Sequence, residues 1–436
     1  MATMLPNPSK GPRSPVVEPA RPRLLQVLGP GLITGASDDD PSGIATYSQA
    51  GAQFAYGLTW TMLFTYPLMT AVQMVAARLG RTTGRGIAGL LRRHAPNWLL
   101  QCVVVLLLVA NTVNLGADLG AMADATRLLA GGPHALWLVL FGVVCVSLQL
   151  FLQYARYVAV LKWLTLVLFA YVATLFFTHV PWSEVAASLV VPRLRWDKEY
   201  LTTVVAVLGT TISPYLFFWQ ASQEAEDLRE DPQRDPLVVA PEQGGPELRR
   251  IELDTLVGMG LSNAIALAII VTAAATLHAN GVTDVQTSAQ AAEALRPIAG
   301  RWAFLLFTLG VVGTGLLAVP VLAGSAAYAI GEARKWPVGL ARQPMEARAF
   351  YATVIVATVL GVVMNFTPLD PIKALYWSAV VNGVVAVPVM AAMMTLASRP
   401  GVMGRFAIGL RLKTLGWVAT IAMGVAAAAM IVTSFD

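Results

Sequence analysis

Long apolar stretches, separated by short polar connections, follow one another along almost the whole chain. Eleven of them can be distinguished, at residues 24–54, 56–79, 98–128, 134–152, 157–179, 200–226, 252–277, 301–331, 349–367, 374–396 and 413–435. As an α-helix, each stretch is long enough to cross the hydrocarbon core of a bilayer. The pattern therefore predicts an all-α membrane protein with about eleven transmembrane helices.

The first and the sixth of these stretches are interrupted in the middle. The breaks lie at residues 38–43 (DDDPSG) and 209–215 (GTTISPY), and each contains a proline. Proline removes a backbone donor and pushes the preceding residue out of helical geometry. At membrane depth only an ion, water or protein can satisfy the exposed backbone groups. Two broken helices at corresponding positions therefore indicate the binding site of a transporter.

The two breaks divide the first ten spans into two sets of five. Each set opens with a broken helix, and an odd number of spans per set forces the two sets into opposite orientations. This is the inverted 5+5 repeat of many secondary transporters. The expected parts are a transporter core at 24–396, with repeat one at about 24–180 and repeat two at about 200–396, and an accessory eleventh helix at 411–436.

Composition and charge fit this arrangement. The chain of 436 residues is 56% hydrophobic and 13% charged, with a mean hydropathy of +0.63. With the N-terminus inside, cytoplasmic segments hold 23 of the 30 Lys and Arg residues. The positive-inside rule then predicts a cytoplasmic N-terminus and, with an odd number of spans, an external C-terminus. We expect an integral protein of a prokaryotic-type inner or plasma membrane, with the lipid bilayer as its partner, no nucleic acid and no protein partner.

Two polar segments complete the predicted domain organisation. Residues 1–23 are rich in proline and basic residues, and we interpret them as a disordered cytoplasmic tail. Residues 229–250 are charged and contain four prolines, which is typical of a flexible cytoplasmic linker between the two repeats.

The first break carries carboxylates, which predicts that the ligand is a cation. A carboxylate in the middle of a membrane helix costs about 3 kcal/mol. Asp40 also lies where the first half-helix ends with a partial negative charge. A bound cation would remove both penalties. Thr210, in the second break, adds carbonyl and hydroxyl oxygens, so we expect an oxygen-rich pocket suited to a hard divalent ion.

Less specific roles remain open for the polar residues around the breaks. Asp38, Asp39 and also Asp40 are compatible with a wet vestibule that binds no particular ion. Ser213 and Tyr215 are compatible with packing and hydrogen bonding alone. Glu224 follows at the predicted cytoplasmic end of the sixth span, where a solvated exit or gate is more typical than a binding site.

Three stretches carry a recognisable pattern: residues 29–33 (GPGLI) leading to 40–43 (DPSG), residues 78–85 (RLGRTTGR), and residues 211–223. They resemble the first span, the cytoplasmic loop after the second span, and the sixth span of the NRAMP divalent-metal transporters. The resemblance covers about residues 24–435. It implies a LeuT-like fold, a divalent metal cation as the transported substrate, no cofactor, and uptake into the cytoplasm.

The metal-binding positions of that family are only partly kept. Where the family has Asp-Pro-Gly-Asn, this chain keeps Asp40 but has Gly43 in place of Asn. Where the family has Met-Pro-His, residues 213–215 read Ser-Pro-Tyr, which removes the metal-binding sulfur. A larger pocket with fewer direct ligands suits an ion that keeps part of its water shell, as Mg²⁺ does. Loss of the thioether removes discrimination against hard ions.

The chain thus resembles the NRAMP-related magnesium transporters, and Mn²⁺ is expected to share the path. Asn382, one helical turn after Ser378, lies in the tenth span, where the family supplies a further polar ligand. Simple helix–helix hydrogen bonding is the alternative for Asn382. The metal-binding candidates are Asp40, Gly43, Thr210, Ser213, Tyr215 and Asn382.

The positions linked to proton movement in that family are also altered. Gln220 replaces a histidine of the sixth span. In the third span, Asp118 matches the first of two acidic residues, while Ala121 stands at the second. The chain has four histidines, and neither break contains one. Because histidine is the side chain that titrates near neutral pH, we expect transport without a proton gradient. The candidates for a proton path or a gate are Asp118, Gln220, Asp39 and Glu224.

Other functions fit less well. A proton-coupled importer of Mn²⁺ or Fe²⁺ would use the same scaffold, as would a sodium-coupled carrier of organic solutes. The acidic first break would repel a substrate carboxylate, which argues against the latter. A channel does not need paired broken helices. No nucleophile–base pair, zinc motif or phosphate-binding loop occurs in the polar segments, so the chain is not predicted to be an enzyme.

Overall fold

The computed structural model describes residues 30–151, 164–231, 233–367 and 370–434, and this part of the chain is helical with connecting turns. The helices of the first half are α1 (Pro30–Asp38), α2 (Pro41–Phe54), α3 (Trp60–Thr83), α4 (Ile87–His94), α5 (Asn97–Ala130), α6 (His134–Phe151), α7 (Phe169–Thr174) and α8 (Trp182–Val190). Short 3₁₀ turns lie at Ala55–Leu58 and Leu164–Leu168.

The second half continues the same kind of structure. Its helices are α9 (Lys198–Thr211), α10 (Pro214–Glu230), α11 (Gly244–Thr276), α12 (Ser288–Glu293), α13 (Arg296–Ala299), α14 (Ala303–Arg334), α15 (Arg348–Met364), α16 (Pro371–Ala397), α17 (Pro400–Met403) and α18 (Leu410–Thr433). Its 3₁₀ turns lie at Pro241–Gln243, His278–Asn280, Gly300–Trp302 and Gly404–Phe406.

The all-helical membrane fold predicted from the apolar pattern is confirmed. Within the described residues, seven helical stretches are long and apolar enough to cross a membrane, and α15 is a shorter apolar helix. The 24-residue α3 matches the predicted second span, although its buried face carries polar residues such as Gln73 and Arg81. Part of the predicted fifth span, residues 152–163, lies outside the described residues, as does the predicted tail at 1–23.

Both predicted breaks are present, and their cause is the same. Pro41 begins α2 and Pro214 begins α10, each at a first helical position where a missing N–H does no harm. The residues before them, Asp40 and Ser213, are extended, with φ/ψ of −70°/173° and −83°/130°. Each span is therefore two helices, α1 with α2 and α9 with α10, joined at buried backbone.

Helices of the two halves pack on one another. Both halves of the first broken helix, α1 and α2, pack on α11, and the second half of the other broken helix, α10, packs on α3. At the centre, α5 packs against α14 and also against α15 and α16. The halves of the broken helices approach their neighbours through glycines: a Cβ at Gly35 would collide with the backbone of Gly258, and one at Gly209 with Ala379 and Gly383.

The two ends of the molecule differ. At one end, here called the cleft end, a cleft of about 740 Å³ opens between α2, α9 and α16. At the opposite end, the network end, Arg81 is buried and donates hydrogen bonds to the Asp235 carbonyl, Gln243 and Glu247 at 2.6, 2.8 and 3.1 Å. The last part of the predicted linker 229–250, residues 244–250, forms the first turns of α11. The hydrogen bonds of Arg81 connect the loop before it to α3. The predicted accessory helix corresponds to α18.

Candidate cation site at the helix breaks

Asp40 lies at the centre of the first break and is held on both oxygens. Its Oδ1 accepts hydrogen bonds from the Ser42 hydroxyl and the Gly43 N–H, both at 2.7 Å. Its Oδ2 accepts one from Asn114 Nδ2 at 3.1 Å and lies 3.3 Å from the Tyr215 hydroxyl. The side chain is 1% exposed. These hydrogen bonds therefore hold the Asp40 carboxylate between α2, α5 and α10.

The second break supplies hydroxyl and carbonyl oxygens. The Ser213 hydroxyl donates to the carbonyls of Gly209 and Thr210, at 2.8 and 2.9 Å, rather than capping α10. Tyr215 joins the two breaks, because its hydroxyl also lies 3.0 Å from the Ser37 carbonyl at the end of α1. The structure thus brings together Asp40, Ser213, Thr210 and Tyr215, which the sequence placed in one pocket.

Gly43 faces the second break, but it does not leave free space. A Cβ added there would lie 3.3 Å from the Asp38 carbonyl oxygen, from Thr210 Oγ1 and from the Tyr47 ring. The volume expected from the replacement of Asn by Gly is therefore taken up by Thr210 and Tyr47. A hydrated ion could enter only if the two breaks moved apart.

Asn114 on α5 is a site residue that the sequence reasoning missed. Its amide nitrogen donates to Asp40, and its amide oxygen accepts from the Ser378 hydroxyl of α16 at 2.7 Å. Asp40, Asn114 and Ser378 thus form a buried relay across three helices. The only signal in the sequence was that two asparagines, Asn111 and Asn114, lie within an apolar span, the second of them four residues before Asp118.

Asp118 is buried close to Asp40 and to the Ser42 backbone N–H. Two other candidates, Asn382 and Gln220, have buried polar atoms that lack hydrogen-bond partners within the described residues. Both polar atoms of Asn382 are in this state. Gln220 accepts from Thr34 and Gln73, at 2.7 and 2.9 Å, but its Nε2 has no partner. Buried polar groups are rarely left unpaired, so these atoms are available to water or a ligand.

The remaining acidic candidates have hydrogen-bond partners different from those of Asp40. Asp38 and Asp39 are buried against α11, where the Ser262 hydroxyl lies 2.7 Å from Asp38 Oδ2 and 3.2 Å from Asp39 Oδ1. Glu224 lies near the network end, where it accepts a hydrogen bond of 2.5 Å from Arg250. It is fully buried, which corrects the expectation of a solvated exit: the ion pair with Arg250 on α11 replaces its hydration.

The arrangement is sealed and poor in charged ligands. Among the described residues, no group of three or more His, Cys, Asp or Glu side chains is placed to hold a metal ion. A cation at the breaks would therefore depend on Asp40 together with hydroxyls, amides, backbone carbonyls and water. Hard cations accept such a set of oxygen ligands.

Comparison with known proteins identifies the family. The model of the family described as natural resistance-associated macrophage protein-like (Nramp) matches residues 31–433. The chain belongs to the Nramp family. It is 27% identical over 91% of its length to the divalent metal cation transporter MntH of Burkholderia ambifaria, covering 86% of that protein. It is 26% identical over 92% of its length to MntH of Deinococcus radiodurans, covering 88%.

Solved structures agree with this at the level of the fold. A manganese transporter of Eremococcus coleocola, in complex with an aromatic bis-isothiourea compound, has a TM-score of 0.70 at 18% identity, covering 96% of this Nramp chain and 90% of that one. MhsT in complex with L-phenylalanine has a TM-score of 0.60 at 12% identity, covering 92% and 98%. The LeuT-like fold is confirmed, and so is the prediction that the chain is a transporter and not an enzyme. This Nramp chain is an integral membrane protein.

Proposed function

We propose that this Nramp protein is a secondary transporter that moves divalent metal cations, Mg²⁺ and/or Mn²⁺, into the cytoplasm. The observation that carries the proposal is the buried carboxylate of Asp40 at the junction of two broken helices. Relatives across the whole chain are named as divalent metal cation transporters. A fixed negative charge beside unwound backbone needs a positive partner inside the membrane.

We propose that Asp40 is the charged ligand and that Thr210, Ser213, Tyr215 and Asn382 supply neutral oxygens around it. Gly43 brings the backbone of the first break close to the second. With one carboxylate and no sulfur, this set favours ions that prefer oxygen and retain water, as Mg²⁺ does. The unpartnered amide of Asn382 supports a ligand role over simple helix–helix hydrogen bonding.

Transport is proposed to be independent of a proton gradient. The four histidines, His94, His134, His179 and His278, all lie outside the two breaks. Asp118, Gln220, Asp39 and Glu224 are the polar groups left for a proton path or a gate. Of these, Glu224 forms an ion pair with Arg250.

The decisive experiment is uptake of Mn²⁺ into proteoliposomes, with Mg²⁺ as competitor, for the parent protein and for Asp40→Asn. The variant keeps the size of the side chain but removes its charge, so uptake is expected to fall at least tenfold, since even a hydrogen bond to a charged group contributes about 1.5–3 kcal/mol. Glu346→Gln, which removes an exposed carboxylate, serves as the matched control and should leave uptake unchanged.

The same vesicles test coupling and the alternatives. With a pH-sensitive dye inside, metal uptake should cause no acidification. Acidification that accompanies Mn²⁺ entry would instead favour a proton-coupled transition-metal importer. Normal uptake by Asp40→Asn would remove the site assignment, and uptake that requires Na⁺ and an organic solute would replace the proposed function altogether.

A further inference from the structure

A groove on the outside of the helix bundle is separate from the cation site. It has a volume of about 510 Å³ and lies between α3, the start of α11 and the start of α18. Its floor follows α3 in steps of one helical turn, through Tyr66, Thr70, Met74 and Arg78. Twelve residues of helix rise about 18 Å, which is close to the depth of one leaflet of the bilayer hydrocarbon, about 15 Å.

The walls of the groove are apolar for most of this length. Ala71 and Met74 on α3, Leu256 on α11, and Leu412 and Leu415 on α18 line it. Tyr66 closes one end of the groove, since its hydroxyl donates to the Leu256 carbonyl at 3.1 Å. A long hydrocarbon chain fits such a lining, whereas a polar solute does not.

The other end of the groove is positively charged. Two arginines, Arg78 and Arg411, and one carboxylate, Glu252, line this end. The Nε of Arg78 is buried and has no hydrogen-bond partner within the described residues. A partly buried guanidinium with an unused donor favours an acceptor from outside the protein, and arginine matches the geometry of phosphate oxygens.

We propose that this groove binds one anionic phospholipid, with its phosphate at Arg78 and Arg411 and an acyl chain along α3 towards Tyr66. The lipid would bridge α3, α11 and α18, so it would join the accessory helix to both repeats. Basic pockets between membrane helices are suited to anionic headgroups, and each basic residue near the phosphate contributes about 1 kcal/mol.

The test is native mass spectrometry of the purified full-length protein with added phosphatidylglycerol or phosphatidylcholine. The parent should bind phosphatidylglycerol more tightly than phosphatidylcholine. Arg78→Gln should weaken phosphatidylglycerol binding about fivefold, as expected for the loss of one phosphate contact. Lys413→Gln, which removes an exposed charge from the same turn of α18 but outside the groove, is the matched control and should have no effect.

A second variant separates the groove from general surface charge. Leu256 is 36% exposed, so Leu256→Trp should fill the groove without disturbing the core, and should displace the lipid while both arginines remain. Equal binding of the two lipids by the parent would overturn the proposal. So would phosphatidylglycerol binding that neither Arg78→Gln nor Leu256→Trp reduces.

Discussion

Asn114, which no motif indicated, holds one oxygen of the Asp40 carboxylate, while Ser42 and Gly43 hold the other. Asn114 donates to Asp40 and accepts from Ser378, so the amide must keep both its nitrogen and its oxygen in place. Such a residue sets the direction in which the carboxylate presents its free lone pairs. In physical terms it is a positioning residue for the proposed ligand.

Replacement of Asn114 by Asp tests this role. The variant keeps the acceptor for Ser378 but turns the donor facing Asp40 into an acceptor, which places two carboxylates together. We expect a changed preference between Mn²⁺ and Mg²⁺ in competition uptake, together with at least a fivefold change in the KM for Mn²⁺ at a similar maximal rate. Ser378→Ala, which removes only the far end of the relay, should have a smaller effect. An equal loss of maximal rate for all metals would indicate a structural role only.

In the proposed site, Ser213 is expected to influence which metals are accepted. A methionine at this position would bring back a soft thioether, which favours transition metals over Mg²⁺. Ser213→Met should therefore raise the competition of Cd²⁺ against Mn²⁺ uptake by about tenfold and lower that of Mg²⁺. Ser213→Ala removes the hydroxyl without adding sulfur and is the control, and Cd²⁺ competition should stay at the parent level in this variant.

At the level of the helices, the sequence was most informative where backbone chemistry acts locally. Pro41 and Pro214 each begin a half-helix, where the missing N–H does no harm, although Pro67, Pro320 and Pro388 lie inside continuous helices. The residue pairs that cross between helices were not predictable, because Asn114 and Ser378 are 264 positions apart. A lone polar residue in an apolar span predicts a hydrogen bond but not its partner.

The same limit explains why the burial of Glu224 and the lack of free space at Gly43 were not predicted. An acidic residue near the end of a span is typical of a solvated position, and only the fold shows that Arg250 of α11 pairs with Glu224 of α10. The replacement of Asn by Gly suggests a larger pocket when read along one helix. In the fold, Thr210 and Tyr47 come from other turns and occupy that space.

The whole molecule is open at the cleft end and closed at the network end. The cleft is lined by Ala45 on α2 and Thr202 on α9, whereas Asp40 itself is buried. At the network end, Glu226 accepts from the Tyr328 hydroxyl and from the Ala341 N–H. A carrier that alternates between two sides has to break this closure in each cycle, and the buried ion pair of Arg250 with Glu224 is part of it.

Removal of one partner of this pair should favour the conformation that is open at the network end. Glu224 is 0% and Arg250 15% exposed at the side chain, and loss of one partner of a buried pair costs about 3–5 kcal/mol when the other charge remains buried. In Arg250→Met, Glu224 has lost the arginine that neutralised its charge. Hydration would stabilise this carboxylate, and water can reach it only if the network end opens. Arg250→Met with Glu224→Gln removes the unpaired charge of Glu224, while Glu247, the other partner of Arg250, keeps Arg81 and Arg234, so the double variant should return towards the closed state.

The readout is the reaction rate of a cysteine introduced at Ser222 with a membrane-impermeant thiol reagent. Ser222 is fully buried at the network end, and the background carries Cys102→Ser and Cys145→Ala. Labelling should be at least tenfold faster in Arg250→Met than in the parent background, and slow again in the double variant. If both variants label at the parent rate, the ion pair does not hold this end closed, and the closure must depend on Glu226 and Tyr328. If both label fast, the loss of Arg250 acts through packing rather than through the charge left on Glu224.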